Sequence, residues 1–431
     1  MFKASTVRRR TWLSIVSSLI MIFAGLSACA QSQNSGPTTN TTLNTQNPVI
    51  IGISLSLTKN KDNDFSFDGQ LMKQGYQLWA DNVNSNGGLL GRQVVLKILD
   101  DNSNPDLTTQ NYETLIKGKV DLLFGPFSSL LTKAAEKAKG IDKFAFIEGA
   151  GGAPSVFANG WTNLFAVSLP VEFNLDTFAY NILSLPFSQR PHTAAYLSSD
   201  DPFTFPQVVK ARGLLQHGGI RTVFPNDSSP TQYVEGDPKA PIAADAAKIV
   251  QSNADVVVLG TLLPDIQAEI AVFKQMHYHP KAIIATAGPD LGQDFIKAIG
   301  GQQYTEGMFV PNGWYPQADN FQNAAMVQAY TTQYHVTADQ VNADVAEAYS
   351  VGQVLQQAVA KTGSIDNGIL KTVLHSQQNV FNTVQGTAKF AADGHNEQAL
   401  AYLFQWQGGQ LIPVYPLSVA AENPEYSKYV F

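Results

Sequence analysis

Apolar runs typical of strands alternate with amphipathic stretches typical of helices in the first third of the chain. The predicted strands cover residues 49–57, 94–98, 121–124 and 143–147. The predicted helices cover residues 69–83, 107–117 and a segment capped by Ser128 or Ser129. The strand runs are β-branched or follow period two, whereas the helical stretches follow a period of 3.6 residues. This alternation predicts a parallel sheet covered by helices on both faces.

The same rhythm repeats in the middle of the chain. The predicted strands there cover residues 193–197, 222–224, 255–259 and 281–286, and the predicted helices cover 208–217, 243–253 and 266–276. The last third adds helices at 323–334 and 341–362 and a strand at 401–406, which we expect to complete both halves. We therefore predict an α/β fold of two doubly wound parallel-sheet lobes joined by a multi-segment hinge. Lobe 1 takes residues 49–170 and 312–395, and lobe 2 takes residues 171–311 and 396–431.

The chain begins with a pattern typical of a secreted lipoprotein. Lys3 and the arginines at 8–10 precede an apolar stretch, residues 12–26, that is too short for a spanning helix and indicates a secretory signal. The signal ends in Leu-Ser-Ala-Cys at residues 26–29, which resembles the bacterial lipobox. This resemblance implies a signal peptide of residues 1–28, lipidation of Cys29 and retention on an extracytoplasmic membrane face.

The composition excludes several classes of function. Cys29 is the only cysteine, so its lipidation leaves no thiol for a disulfide, a nucleophile or a metal site. Residues 29–48, rich in Ser, Thr, Asn and Gln, predict a flexible tether. Without the signal peptide, 24 basic residues face 35 acidic ones, which argues against a nucleic-acid partner. We expect a monomer that uses neither a cofactor nor a metal.

Motifs for the commonest enzyme chemistries are absent from the sequence. It contains no G-x-S-x-G, H-E-x-x-H or P-loop pattern. His277 and His279 could offer two imidazoles to a metal, but no acidic or histidine ligand stands at helical spacing from them. The segment therefore favours a surface loop over a metal site. An enzyme is therefore not expected.

A glycine-rich stretch, FIEGAGGAPS at residues 146–155, lies where a predicted strand ends. Gly149 and Gly151 fit the first half of the dinucleotide fingerprint, but Pro154 occupies the position of the third glycine. In open α/β sheets small ligands lie beyond the carboxyl ends of the strands, and two facing lobes can close around one. We interpret the stretch as a ligand-binding loop and not as a phosphate turn.

Six segments along the chain carry a family resemblance: GLLGRQVVLKILDDNSNP, DLLFGPFSSLLT, FAFIEGAGGAP, AAYLSSDDPF, ADVVVLGTLLPD and YTEGMFV. In their order and spacing they resemble the leucine/isoleucine/valine-binding family, which are type I periplasmic solute-binding proteins that feed ABC transporters. The similarity extends from about residue 49 to residue 415. It implies the type I periplasmic binding protein fold and an ABC permease in the membrane as the partner.

In that family, groups on the first lobe after the third and fourth strands bind the ligand's carboxylate. The resemblance assigns six positions to this role: Phe127, Ser128, Ser129, Ala150, Gly151 and Gly152. A serine and free amides at a helix N-terminus suit an anion. Gly152 stands where the family's threonine donates a hydrogen bond, so one anchor for an amino-acid head group is absent.

On the second lobe the family uses aromatic residues and an acid that pairs with the ligand's ammonium group. Phe203 matches one aromatic position, Leu262 or Leu263 replaces the other, and Asp290 is the only acid near the expected place. Asp290 could equally cap the helix after Pro289.

Phenylalanines are frequent at the predicted strand ends, where each could belong either to the core or to the cleft. They are Phe65, Phe67, Phe127, Phe203 and Phe205. If three or more of these rings line the cleft, they favour a ligand with a hydrophobic or aromatic body. We also predict that Phe67 contacts the ligand.

The sequence thus predicts an extracytoplasmic solute-binding lipoprotein. It captures an amino acid or an apolar or aromatic carboxylate between two lobes and delivers it to an ABC importer. A ligand-sensing receptor with the same fold is the alternative, and a secreted hydrolase is a third.

Overall fold

The computed structural model describes residues 43–226, 229–234 and 239–427. The predicted signal peptide, Cys29 and the first part of the predicted tether lie outside the described residues. Within these residues, every helix is too short or too polar to cross a membrane.

Lobe 1 is built on a five-stranded sheet. Its strands are β1 (Asn44–Leu55), β2 (Arg92–Asp100), β3 (Leu122–Phe124), β4 (Phe146–Glu148) and β5 (Leu164–Ala166). They are all parallel, in the order β2-β1-β3-β4-β5. Ile51, Ile53 and Leu55 alternate along β1 with no exposed surface, which explains why this strand lies inside the sheet.

Helices from two separate parts of the chain cover this sheet. The first part contributes α1 (Ser66–Ser85), α2 (Pro105–Lys117), α3 (Ser129–Ala135) and α4 (Pro154–Phe157). A later part contributes α10 (Asn323–Tyr334), α11 (Ala343–Thr362), α12 (Asn367–His375) and the hairpin of β12 (Phe381–Thr383) with β13 (Gly386–Ala388). Side chains of α1, α10, α11, α12 and this hairpin share one apolar core with β1.

Lobe 2 is built on an eight-stranded mixed sheet. Its strands are β6 (Thr193–Ser199), β7 (Arg221–Phe224), β8 (Thr231–Tyr233), β9 (Val256–Gly260), β10 (Ala282–Ala285), β11 (Phe309–Asn312), β14 (Tyr402–Gln407) and β15 (Gln410–Tyr415). Its helices are α5 (Asp176–Ser184), α6 (Thr204–His217), α7 (Ile242–Ser252), α8 (Leu263–Gln275) and α9 (Gln293–Ala298). The order is β15-β14-β11-β10-β9-β6-β7, with β8 beside β6, and only the pairings of β14 are antiparallel. The predicted α/β class with parallel sheets is confirmed.

The chain passes between the lobes three times. It leaves lobe 1 after β5, returns after β11 and leaves again between β13 and β14. These crossings form the multi-segment connection expected of a hinge. The exact residue limits of the lobes stay a prediction.

The first strand begins earlier than the apolar pattern indicates. β1 starts at Asn44, inside the segment predicted as a tether, and its backbone N–H donates to the Gly91 carbonyl at 2.8 Å. The Arg92 guanidinium also donates to the Asn47 and Pro48 carbonyls at 2.8 Å. Residues 44–48 are largely exposed, and these pairings across the strand edge hold them together with the Asn44 side chain, whose Oδ1 accepts from the Gln46 and Asn47 N–H groups at 3.0 and 3.3 Å.

Helices α1 and α11 approach closely because glycines stand at their contact. A Cβ on Gly75 of α1 would lie 2.4 Å from the Val345 carbonyl oxygen of α11. A Cβ on Gly352 of α11 would lie 2.1 Å from the ring of Trp79 in α1. The sequence therefore permits a backbone approach that larger residues forbid, and this approach brings the N-terminal ends of the two helices together.

Replacing this contact glycine is expected to destabilise the protein. Gly352→Ala forces the added methyl group against buried Trp79, so the free energy of unfolding falls by about 2 kcal/mol. Gly213→Ala is the matched control, because Gly213 lies in α6 with open space around its Cβ position. That variant gains about 0.5 kcal/mol from helix propensity. Urea denaturation measures both changes, and equal effects of the two substitutions contradict the packing argument.

Candidate functional site

A large cavity lies between the two lobes. Its volume is about 1090 Å³. Lobe 1 lines it with loops that follow β1, β3, β4 and β5, and lobe 2 lines it with loops that follow β6, β9 and β10. This is the place where open α/β sheets bind small ligands, beyond the carboxyl ends of parallel strands.

Most of the ligand-binding positions chosen from the sequence lie on this cavity. Eight of the ten line it: Phe67, Phe127, Ser128, Ala150, Gly152, Phe203, Leu263 and Asp290. Ser129 and Gly151 are not among the residues that line it. The strand-end argument thus brings together residues that are far apart in the chain, and their contact with a ligand stays a prediction.

Ser129 points into lobe 1. It has no exposed surface, and its Oγ accepts a hydrogen bond from the Ala153 backbone N–H at 3.2 Å. Ser128 stands at the N-cap position of α3, but no side-chain hydrogen bond caps this helix, so the predicted serine cap is wrong. Because α3 has only seven residues, its dipole and free amides offer little to an anion.

The glycine-rich stretch is a turn that binds its own strand end. The Gly151 N–H donates to the Glu148 carboxylate, so it does not face the cavity. The Gly152 carbonyl accepts from the Val171 N–H at 2.9 Å, and a Cβ at Gly152 would lie 2.6 Å from the Leu169 carbonyl oxygen. A threonine, which the family resemblance implies at this position, therefore does not fit here without a backbone shift. The short α4 that follows gives no phosphate cradle.

Four phenylalanines contribute to the lining of the cavity, and we call them its apolar wall. Phe65, Phe67, Phe127 and Phe203 line it, whereas Phe205 does not. Phe65 and Phe127 meet edge to face with ring centroids 5.9 Å apart. Four phenylalanines therefore meet the condition set for a ligand with an apolar body.

Two aspartates at the end of β2 fix the loop that follows β1. Asp101 accepts hydrogen bonds from the hydroxyls of Ser54 and Ser56 at 2.9 and 2.7 Å, and burial raises its pKa to about 6. Asp100 accepts from the Thr58 hydroxyl at 2.7 Å. These bonds give both aspartates a structural role and position the segment that carries Phe65 and Phe67.

The lining of the cavity is strongly acidic. Its carboxylates are Asp62, Asp64, Asp68, Asp201, Asp265, Asp290, Asp294, Asp344 and Glu347, and among the residues that the structure describes its cationic side chains are Lys59, Lys61 and Lys297. Two of these lysines are already paired with acids, Lys61 with Asp62 at 2.8 Å and Lys59 with Asp64 at 3.8 Å. The negative potential therefore attracts cations into the cleft and disfavours anions.

Four of these carboxylates converge from both lobes, and we call them the acidic cluster: Asp68, Asp290, Asp344 and Glu347. Asp68 lies in the first turn of α1, Asp344 and Glu347 lie near the start of α11, and Asp290 lies in a 3₁₀ turn after β10. The close α1–α11 contact brings Asp68 and Asp344 within hydrogen-bond distance of each other.

Burial and mutual repulsion change the protonation of the acidic cluster. Burial and the Asp290 charge raise the pKa of Asp68 to about 7. The same two causes, burial and neighbouring carboxylates, raise the pKa of Asp344 and Glu347 well above the usual range. Asp290 does not cap α9. Its Oδ1 accepts from the Gly288 N–H at 2.8 Å, and burial raises its pKa.

Two further carboxylates lie deeper beside the cavity. Glu148, at the end of β4, has no exposed surface, and burial raises its pKa to about 7. A Cβ on the next residue, Gly149, would lie 3.2 Å from Glu347. Asp265, in the first turn of α8, lines the cavity and is 5 % exposed, and burial raises its pKa to about 6.

The sequence pattern did not single out Asp68, Asp344 or Glu347. An acid in the first turn of a helix is ordinary, because it complements the helix dipole. These three acids come together only because α1 packs against α11, and the two helices are more than 250 residues apart in the chain. The glycines at that contact are the only sequence signal for it.

Comparison with known proteins places the cavity in a wider context. A sequence profile of the periplasmic binding protein family matches residues 51–410. The Leu/Ile/Val-binding protein homolog 8 of Brucella abortus (strain 2308) is 22% identical over 375 residues, which cover 84% of this chain and 89% of that protein. Homolog 7 of Brucella suis biovar 1 (strain 1330) is 22% identical over 368 residues, 82% of this chain and 88% of that protein.

Solved structures share the fold. The branched-chain amino acid substrate-binding protein LivJ of Streptococcus pneumoniae, in complex with isoleucine, has a TM-score of 0.68 at 17% identity and covers 85% of this chain and 98% of that one. A solute-binding protein of an ABC transporter from R. palustris, in complex with benzoate, has a TM-score of 0.68 at 18% identity and covers 88% of this chain and 98% of that one.

Proposed function

Because the chain belongs to the periplasmic binding protein family, we propose that it captures a small organic solute between its two lobes and delivers it to an ABC permease. The observation that carries this proposal is the cavity, which the strand-end loops of both lobes line together. A ligand that contacts both lobes favours the closed arrangement over the open one by its differential affinity. No turnover of the solute is expected.

The two solved relatives indicate the kinds of solute to consider. LivJ holds isoleucine and the R. palustris protein holds benzoate. Both an amino acid and an aromatic carboxylate fit the apolar wall of this cavity. The acidic lining adds a preference within that set, since a ligand with an amino group is attracted where a bare carboxylate is repelled.

We propose that the protein works on an extracytoplasmic membrane face. The similarity of residues 26–29 to a lipobox supports an anchor on Cys29. An anchored binding protein stays near its permease, and the polar segment after Cys29 gives the globular part reach.

A thermal-shift screen tests the proposal. Purified mature chain is mixed in turn with amino acids, aromatic acids, short amides, fatty acids and amines. A true ligand stabilises the folded chain by mass action, so the melting temperature rises with its concentration. Stabilisation by none of these classes contradicts solute capture. Loss of solute uptake in cells without the protein supports transport, whereas unchanged uptake with a lost transcriptional response to the solute supports sensing.

The apolar wall gives a specific expectation for affinity. Phe127→Ala removes a ring that lines the cavity, so the best ligand of the screen binds about tenfold more weakly. Phe205→Ala is the matched control, because Phe205 lies nearby but outside the cavity lining, and it changes affinity by less than about twofold. Isothermal titration calorimetry measures both. Equal losses in the two variants indicate that the rings act through stability and not through ligand contact.

A further inference from the structure

We infer that the solute is an organic dication, with two protonated amines joined by an apolar chain. The acidic cluster binds one amine, and Asp265 on lobe 2 binds the other. This inference rests on the proposed function and names its ligand class.

The acidic cluster lacks the counter-ions that a structural role requires. None of the ion pairs among the described residues involves Asp68, Asp290, Asp344 or Glu347. Half-buried carboxylates that face one another repel, and their ionised forms lose hydration. An ammonium group between them removes both penalties, because it supplies an opposite charge and three hydrogen-bond donors.

Buried carboxylate oxygens without partners point to the same ligand. Glu148 Oε1 is fully buried beside Glu347 and has no hydrogen-bond partner among the described residues. Asp265 Oδ2 lines the cavity from lobe 2 and likewise has none. Buried polar atoms are nearly always hydrogen-bonded, so an unpartnered acceptor in a binding cavity needs a donor from outside the chain. Asp265 Oδ2 is such an acceptor on lobe 2. Glu148, on lobe 1, is not among the residues that line the cavity, but its charge interacts with that of Glu347, which does line it.

The cation is organic and not a metal ion. Among the described residues, no group of three or more histidine, cysteine or acidic side chains is arranged to hold a metal. The phenylalanine wall suits methylene groups, and aromatic faces also attract ammonium groups. An apolar chain along Phe65, Phe127 and Phe203, with a charge at each end, matches both chemical parts of the cavity.

The carboxylate-binding half of related sites has a weak counterpart here. Ser129 faces the interior, Gly151 donates to Glu148, and the residue at the threonine position is Gly152. A ligand carboxylate placed on this lobe would lie near Asp68 and Glu347, and the two lysines of lobe 1 that line the cavity, Lys59 and Lys61, are already paired with acids. The repulsion between the ligand carboxylate and these acids opposes binding by more free energy than one hydrogen bond contributes.

Calorimetry with defined probes tests the inference. The mature chain with Cys29→Ser is titrated with cadaverine, spermidine, pentylamine, leucine and benzoate. Cadaverine or spermidine is expected to bind at least about tenfold more tightly than pentylamine and leucine, since each extra buried ion pair contributes to affinity. Benzoate is expected to show no binding.

Variants locate the charge. Asp344→Asn and, separately, Glu347→Gln weaken cadaverine binding about 30-fold or more, because each removes a buried partner of the ammonium group. Asp339→Asn removes one exposed negative charge just before α11 and leaves affinity within about twofold. Full cadaverine affinity in both cluster variants overturns the inference.

The outcomes also separate the inference from the proposed function. Tight binding of leucine or benzoate, with no binding of either polyamine, overturns the dication and leaves solute capture intact. If none of the five probes binds, the dication is wrong, and the wider thermal-shift screen then decides on solute capture. A melting curve for each variant confirms that a loss of affinity occurs in folded protein.

Discussion

The ligand-free double variant Asp344→Asn, Glu347→Gln unfolds at a higher temperature than the unsubstituted protein at pH 7.5. Burial and neighbouring carboxylates raise the pKa of both side chains, so their ionised forms destabilise the folded state. Neutral amides of similar shape relieve that repulsion. We expect an increase of about 3 °C, by the relation between stability and melting temperature for a chain of this size.

The sign of the pH dependence follows from the same groups. Asp68 and Glu148 have folded-state pKa values raised to about 7, from ordinary values of 3.8 and 4.5. At pH values between the ordinary pKa and the folded-state pKa, the folded state binds more protons than the unfolded state. The free energy of unfolding therefore falls as the pH rises toward 7. The ligand-free protein therefore melts at a higher temperature at pH 5.5 than at pH 7.5, and the double variant shows a smaller difference. Scanning calorimetry at both values measures this.

A control separates this effect from the general loss of negative charge. Asp339→Asn removes an exposed carboxylate near the same helix and leaves the melting temperature nearly unchanged. If the double variant is less stable than the parent at pH 7.5, the cluster carboxylates stabilise the ligand-free protein. The proposal that they serve to bind a ligand's ammonium group is then wrong.

Cadaverine affinity rises steeply with pH between 6 and 8. Burial, followed by the charges of Asp290 and Asp64, raises the pKa of Asp68 to about 7, although a hydrogen bond with Asp344 opposes the shift. Glu347 also lies close enough to interact with the Asp68 charge. A bound ammonium favours the ionised carboxylate and expels the proton. The linkage gives up to about tenfold in affinity per pH unit for each proton released.

Proton release is measured by calorimetry in two buffers. We expect the apparent enthalpy of cadaverine binding at pH 6.5 to differ between phosphate and bis-Tris, a buffer with a larger ionisation enthalpy. The difference is proportional to the number of protons released. Asp344→Asn reduces that difference. An enthalpy independent of the buffer, together with a flat affinity from pH 6 to 8, shows that the buried carboxyl groups do not respond to the ligand.

The fold was predictable where the apolar pattern is strong. The β-branched run of residues 49–57 predicted β1, and the helical spacing of 341–362 predicted α11. Short elements were missed. β5, β12 and β13 have three residues each, and so few positions carry no measurable period.

The candidate site was predictable only in part, for a physical reason. Residues that follow parallel strands lie at one edge of their sheet, and two facing lobes turn these edges toward one cleft. Phe127 and Ala150 of lobe 1 and Phe203 of lobe 2 could therefore be placed at the cleft from topology and the family resemblance. Asp344 and Glu347 belong to a helix that returns from the last third of the chain. Their position depends on which helix packs against α1, and that depends on complementary shapes at Gly75 and Gly352. Ser129 was misplaced because a strand-end position does not fix which way a side chain points.

Capture of a solute between the lobes is the central claim, and small-angle X-ray scattering tests it most directly. The radius of gyration of the mature chain is measured alone and with a saturating amount of each compound that binds, with Phe127→Ala at the same ligand concentration as the weak-binding control. We predict that the radius falls when ligand binds and that the weak-binding control, which the same concentration does not saturate, shows a smaller decrease. Tight binding with an unchanged radius of gyration would contradict closure of the two lobes around the solute.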